Sequence, residues 1–408
     1  MNAHSLCISL SMIITPVALA IEGPTPCVER ALSFQEISPA PSPDQDHPAA
    51  NPWPSLGGTV RVWAAPDNGV PDPQTAVRVL GSNILIQAFW SSTEDPRSTT
   101  TTQMGSYGLL VPTVTGRLVA DLISPDAIVV SDLPNTGTRS CGESCSAYTV
   151  ESDWDIEQSL QYDFELGLTT STETLAAGNA YVHAQASIEW IRSVVSDWVA
   201  MPSENAFPGA QEKLEVHTNI GSTILPEVAC WALYHPHYNQ IGLGRGGDCG
   251  AANAAISTII RHEFGHLFTR TNKNPRGCAP VWGFAFDEGI ADAFAALSLG
   301  TSCIGKDWRY PGDCLRDIEV DWQHPSPGNY YQRSRPLSGA FWDLYTSMLA
   351  ANPAHGARDA KILFVLANLV NEFCWEDIRQ NVLDADQAIF VGQYANLIAA
   401  AFDSHSIP

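Results

Sequence analysis

Two histidines four residues apart, with a glutamate directly after the first, give His262-Glu263-Phe264-Gly265-His266 the residue types and spacing of a metal site. On a helix, positions i and i+4 lie one turn apart on one face. Both imidazoles can therefore reach a single cation, while Glu263 projects beside them toward whatever that cation binds. The chemistry implied is hydrolysis, in which a divalent ion acidifies a water and polarises a carbonyl while a neighbouring carboxylate takes the proton. The flanking runs Ala254 to Ile260 and Leu267-Phe268 are apolar nearly all round, the pattern of a buried helix. Two imidazoles and a carboxylate in such a place are costly unless a metal pairs with them.

A catalytic zinc takes three protein ligands and leaves a fourth position to water, so one more ligand is expected. The metzincin extension would need Gly at position 269 and His at 272; Thr269 and Asn272 stand there instead, which rejects that class. Farther along, the segment Phe286 to Phe294 reads as a second buried helix that opens with Asp287 as its cap. Glu288 and Asp292 share one face of it, and the small residues Gly289, Ala291, Ala293 and Ala295 permit close approach to the first helix. Glu288 can then complete a His-His-Glu set, while Asp292 holds a ligand imidazole in its tautomer.

These two blocks resemble the gluzincin metallopeptidases of the thermolysin and fungalysin kind, in which a HExxH helix is followed by a second helix carrying Asn/Asp-Glu-x-x-x-Asp. The resemblance covers residues 180 to 350 loosely. It implies Zn2+ held by His262, His266 and Glu288, Glu263 as general base, Asp292 supporting a zinc-bound histidine, and a peptide or protein as substrate. It also implies a substrate-binding edge strand at Cys230 to Pro236, with Trp231 where the family often has Asn. A third block, Tyr330 to Leu344, is similar to the segment where family members carry an oxyanion-stabilising His before Ser-Gly-Ala-x-Trp, here Ser338 to Trp342. Tyr331 is the nearest equivalent of that His, with Tyr330, Arg333 and His324 as further candidates; a phenol can donate such a hydrogen bond. His183, His217, His235, His237 and His355 lack metal spacing and read as structural, with His235-Pro236-His237 nearest the expected cleft.

An endopeptidase is the leading expectation. An aminopeptidase with the same zinc set would need an acidic group for the substrate's α-amine, and no motif of that kind stands out. The alternative from another class is a secreted binding or adhesion protein with an inert zinc site. A structural site would normally be closed by a fourth protein ligand, and no candidate has the spacing.

The elements that must position these residues follow from pattern. The chain of 408 residues carries 44 acidic and 21 basic side chains, a net charge of -23, with 45% hydrophobic and 16% charged residues. So acidic a chain is repelled by nucleic acid and anionic lipid, which sets both aside as partners. No stretch reaches the roughly 20 apolar residues of a membrane span. The apolar run Leu6 to Ala20 closes on Ala18-Leu19-Ala20, so residues 1–20 read as a secretion signal, and a secreted, periplasmic or cell-surface location is expected. Residues 21–54 read as a Pro-rich linker.

Short β-rich runs then suggest a β-sandwich module over 55–150, at Thr59 to Trp63, Ala76 to Leu80, Ile84 to Trp90, Tyr107 to Val111, Arg117 to Ile123 and Ala127 to Val130. The stretch Thr99 to Pro112 resembles transthyretin-like or carboxypeptidase-regulatory-like modules. Over 151–408 strands are expected at 214–216, 228–233 and 240–243, and helices at 172–199, 250–270 with Asp248 as cap, 287–299, 338–350, 357–371 and 375–402. The fold class expected is α+β: a β-sandwich followed by a zincin-like domain whose C-terminal half is mostly helical.

Once Cys7 leaves with the signal, nine cysteines remain, and an oxidising compartment would pair most of them. Cys27 is expected to be the odd thiol. Cys230 with Cys249 and Cys303 with Cys314 would form short staples, and Cys141 with Cys145 reads as a disulfide rather than a metal pair.

Overall fold

The computed structural model describes residues 55–65, 77–80, 84–89, 97–103, 106–110, 115–121, 127–131, 149–155, 161, 164–166, 172–198, 214–220, 230–236, 239–247, 251–272, 280–369 and 374–408. The segments 1–20 and 21–54, expected to be a signal and a linker, lie outside these residues, as do Asp248, His237 and the cysteines at 27, 141, 145, 249 and 278. Chain contacts divide the protein into two units, 1–50 with 140–145 and the remainder, and every described residue belongs to the second.

Short runs of β-prone residues produce most of the strands. These are β1 (Ser55–Ala64), β2 (Val77–Leu80), β3 (Leu85–Phe89), β4 (Arg97–Thr100), β5 (Ser106–Leu110), β6 (Thr115–Asp121), β7 (Ala127–Ser131), β8 (Thr149–Asp155), β9 (Phe164–Leu166), β10 (Leu214–Ile220), β11 (Ala232–His235) and β12 (Gln240–Gly244), with the two-residue pair β13 (Cys303–Ile304) and β14 (Arg316–Asp317). They pair as β2-β1-β5 with β9 also on β1, as β4-β3-β6-β8, as β11-β12-β10-β7 and as β13-β14. In the third sheet β10 runs parallel to both β12 and β7, and β11 closes antiparallel on β12. Strand pairing continues past residue 150 through β6 with β8, β1 with β9 and β7 with β10.

The helices are α1 (Thr172–Trp198), α2 (Ser257–Asn272), α3 (Pro280–Leu299), α4 (Tyr330–Ala351), α5 (Gly356–Ala367), α6 (Ile378–Phe390) and α7 (Ala395–Ser404). Among the described residues no helix is long and apolar enough to cross a membrane. The architecture is mixed α and β with small sheets.

Several helix boundaries differ from expectation, and four of the differences have a local reason. Before α2, Ala252 and Ala254 donate their amides to Trp308 and Gly244, so residues 251–256 are tied outward instead of winding into a helix. Helix α3 starts at Pro280, a residue suited to the first helical position because it lacks the N–H that would go unmet there. Asp287 is thus well inside the helix and is not its cap. Helix α4 starts at Tyr330 because Asn329 and Gln332 form a reciprocal capping box, and Pro336 is carried within its second turn. The expected helix over 375–402 is broken into α6 and α7, where Val391 and Gly392 both take positive φ, 57° and 76°.

One apolar cluster joins these parts and backs the HExxH segment. Phe264 and Phe268 of α2 meet Phe294 of α3 with ring centroids 5.6 and 5.8 Å apart. Such aromatic pairs contribute about 0.5–1.5 kcal/mol each beyond the area they bury. Glycines set the spacing of the helix pairs. An added Cβ on Gly265 would stand 2.6 Å from the Ala291 Cα, and one on Gly289 would stand 2.9 Å from the Ser334 carbonyl oxygen, so α3 lies pressed between α2 and α4.

Candidate metal centre

With Phe264 facing the core, the opposite face of α2 turns both histidines toward α3. The His262 and His266 rings meet edge to face with centroids 4.7 Å apart, and their Nε2 atoms are 3.2 Å apart. Glu288 enters from α3, placing Oε2 3.4 Å from His262 Nε2 and Oε1 3.6 Å from His266 Nε2. One ligand atom from each of the three residues lies within 4.8 Å of the others. The sequence-predicted His-His-Glu set is therefore brought together at the interface that Gly265 makes possible.

The far sides of both rings are already engaged. His262 Nδ1 lies 2.7 Å from Asp292 Oδ1, and His266 Nδ1 lies 3.0 Å from Asp287 Oδ2. With each Nδ1–H donated to a carboxylate, each Nε2 lone pair faces the shared gap. Two lone pairs and a carboxylate then converge on one point, and the buried Glu288 Oε2 accepts no hydrogen bond there. Four such atoms facing one another in a dry site repel unless a positive charge sits among them, either a metal ion or a proton on one of the imidazoles. Ligand bonds of ~2.0–2.1 Å in a tetrahedral arrangement put neighbouring donors roughly 3.3–3.4 Å apart. The spacing of 3.2–3.6 Å matches that, so these residues fit a small divalent metal.

Asp287, read from the sequence as a helix cap, is instead the partner that orients His266. A longer α3 beginning at Pro280 was the signal that could have reassigned it.

Asp292 is fully buried and holds a second partner that sequence reasoning missed. Arg316 donates Nε–H to Oδ2 and Nη2–H to Oδ1, both at 2.7 Å, a bidentate ion pair. Its Nη2 also stands 3.2 Å from His262 Nδ1. That contact is not a hydrogen bond, because the Nδ1 proton goes to Asp292. Burial alone would raise the Asp292 pKa, yet Arg316 and His262 outweigh it and hold this carboxyl well below the usual range. Arg316 sits on β14, paired with β13 and fixed by the Cys303–Cys314 disulfide predicted from spacing. Gly305, in the hairpin so formed, donates its amide to Thr258 Oγ1 of α2 at 2.9 Å, which fastens the hairpin beside the site. Cys230 and Cys374 are disulfide-bonded as well.

The titration of the remaining groups follows from these charges. Burial would lower the His262 pKa and Arg316 pushes the same way, but Asp292 and Glu288 prevail and raise it to about 10. Burial likewise opposes a charged His266, whose pKa is nonetheless raised by Asp287 and Glu288. Glu288 moves in the other direction: burial alone would raise it, while the two imidazoles and Arg316 bring it below its ordinary value. For Glu263, burial is the largest influence and Glu288 adds to it, so its pKa is raised despite both histidines and the backbone N–H of Tyr234 on β11. A buried carboxyl displaced toward neutrality is suited to taking up and releasing a proton.

Tyr331 occupies the first turn of α4 with the Arg316 guanidinium 5.5 Å from its ring centroid. Burial, a hydrogen bond with Tyr330 and the Glu288 charge all raise its pKa, so the phenol stays protonated and able to donate. Tyr330 packs at a tilt against Tyr331 with centroids 4.1 Å apart and is more exposed, while His324 stacks on Trp375 at 4.2 Å. His183 is buried and accepts from Arg261 Nε, His217 pairs with Glu215, and His355 stands at the N-terminal boundary of α5 without a side-chain capping hydrogen bond. His235 lies on β11, next to Tyr234.

No protein-family model matches the sequence, and no curated protein matches it either. Among solved structures, the precursor of protealysin, a metalloproteinase from Serratia proteamaculans, is similar with a TM-score of 0.46 at 14% identity, over 59% of this chain and 81% of that one. A likeness this distant supports no functional argument, so the functional reading rests on the side-chain geometry.

Proposed function

We propose that this chain is a zinc-dependent peptidase, secreted or held at the cell surface, that hydrolyses internal peptide bonds. The observation that carries the reading is the convergence of His262, His266 and Glu288 on one point with the raised, buried Glu263 beside them. Two imidazoles and one carboxylate form a donor set suited to zinc, with room for a fourth ligand. A metal held there supplies Lewis acidity, which acidifies a water and polarises a carbonyl.

The protein's own residues supply the rest. Glu263 accepts a proton at its carboxylate as the nucleophile attacks and returns it to the leaving amine. Asp292 and Asp287 hold the two imidazoles in the tautomer that points Nε2 inward, and Arg316 keeps Asp292 ionised for that purpose. Tyr331, a protonated phenol next to Glu288 and Arg316, is the donor we assign to the developing oxyanion.

The test is metal analysis of the purified protein together with a casein digest, with and without chelator. Stoichiometric zinc and chelator-sensitive cleavage support the reading; a metal-free protein, or cleavage indifferent to the chelator, overturns it. A peptide blocked at its N-terminus separates the endopeptidase from an aminopeptidase, since only the former cleaves it.

A further inference from the structure

β11 is the outer strand of its sheet among the described residues, and the Tyr234 amide on it reaches Glu263. The strand leads outward from the candidate base. Three residues back from Tyr234, about 10 Å along an extended chain, stands Trp231. Leu233 and Trp231, at alternate positions, are 47% and 44% exposed, whereas Tyr234 between this face and the core is buried.

The Arg309 guanidinium lies over the Trp231 ring, 4.5 Å from its centroid. The same ring is held edge-on by Trp308 at 6.1 Å, and Trp308 is buried with its Nε1–H donated to the Ala252 carbonyl. Residues 303–314 are closed by the Cys303–Cys314 disulfide, which limits how far this loop can move. Guanidinium and ring are therefore preset, at little ordering cost on binding.

The charge context makes the arrangement unusual. In a chain of net charge -23, Arg309 is exposed yet paired with no carboxylate among the described residues. Asp307, two positions away, has its Oδ1 accepting from the Gly312 amide instead.

We propose that Arg309, seated on the Trp231 face, is a binding subsite for the carboxylate of an Asp or Glu side chain in a peptide lying along β11. The inference rests on the peptidase reading of the neighbouring centre and names the substrate class it selects. A peptide added as a further strand on an exposed edge sends alternate side chains to one face, here toward Leu233 and Trp231. The indole backs the guanidinium and holds its plane, and the carboxylate of an acidic residue takes two of its outward N–H groups. In a chain of net charge -23, a cation fixed at this place favours negative charge at the substrate position that meets it.

The test scans one Asp through each position of a fluorescently labelled octapeptide otherwise built of Gly, Ala and Val, with Lys at the same positions for comparison. Binding to the full chain is read by anisotropy, and cleavage by separation of products. One position is expected to favour Asp over Lys about tenfold, the scale of a charge-assisted contact. Arg309→Glu reverses that preference at that position, whereas Lys306→Glu, which changes the net charge equally within the same loop, leaves it in place. The proposal is overturned if no position shows a charge preference, if nothing binds, or if the preference survives Arg309→Glu. Charge-selective binding without cleavage would instead sink the peptidase reading and leave this subsite standing, and cleavage without charge selection would do the reverse.

Discussion

Gly265 on α2 lies against the backbone of Ala291 on α3, so near that a methyl group at position 265 would come within 2.6 Å of the Ala291 Cα. The atom met is backbone and cannot swing aside, so Gly265→Ala must push the two helices apart. The higher helix propensity of Ala is worth about 1 kcal/mol, while overpacking at such a contact costs about 1–3 kcal/mol. The expected net result is a loss of stability together with weaker metal binding, because Glu288 retreats with α3. Denaturant unfolding and a zinc titration of the variant check both; unchanged zinc affinity would contradict this placement of Glu288.

Glu263→Gln keeps the shape of the side chain and removes its ability to take a proton. Metal content should stay at the wild-type level while the cleavage rate falls about 10²–10⁴-fold, the usual contribution of a positioned acid–base group. Parallel metal analysis and peptide assays read the two quantities. A variant that retains full activity would remove Glu263 from the role of base.

Asp287 and Asp292 each support one histidine, and losing such a partner typically lowers metal affinity about 10–100-fold. Asp287→Ala should show a drop of that order in competition against a chromogenic chelator. Asp287→Asn should lose less, because the amide oxygen can still accept from His266 Nδ1–H. Equal losses in the two variants would mean that charge, not orientation, is what Asp287 contributes.

Removing one member of the Asp292–Arg316 pair leaves the other charge buried without its partner. Asp292→Ala should therefore destabilise the fold by about 3–5 kcal/mol. The double replacement Asp292→Leu with Arg316→Met, which removes both charges, should cost less than the single one. Urea melts of the three proteins decide the order.

His405 predicts a pH dependence far from the metal residues. Its Nδ1 faces the Trp322 carbonyl at 2.7 Å and its Nε2 faces Asp343 Oδ2 at 3.2 Å, with Asp321 4.0 Å from Nδ1. Burial would lower its pKa, but Asp343 and the Trp322 carbonyl outweigh burial and raise it. A histidine raised on folding contributes stability that is fully present below its unfolded pKa of about 6.5 and is lost as pH climbs through the folded value. The gap in melting temperature between wild type and Asp343→Asn should then be widest near pH 5.5 and narrow above neutrality. A gap that stays constant from pH 5 to 9 would refute the linkage.

Much of the metal centre could be read from spacing, because helical periodicity is local. His266 follows His262 by four positions and Asp292 follows Glu288 by four, and both intervals survive in α2 and α3. The strands over 55–131 were likewise legible as short β-rich runs, except β4, whose Arg97 to Thr100 has no apolar side chain. What escaped depended on contacts distant in sequence. Arg316 lies 24 residues from Asp292 on a two-residue strand, too short to carry a pattern. Asp287 has the type of a cap and the place of a ligand's partner, and only the true start of α3 separates these readings. The stacking of Arg309 on Trp231 depends on the hairpin folding back beside β11, which no local rule foretells.

Arg316 reaches three things at once: it grips Asp292, borders His262 and lies under the face of Tyr331. Replacements at these four positions will not sum. Each changes the setting in which the others act, so the coupling energies between them, rather than the individual losses, will report how the centre is wired.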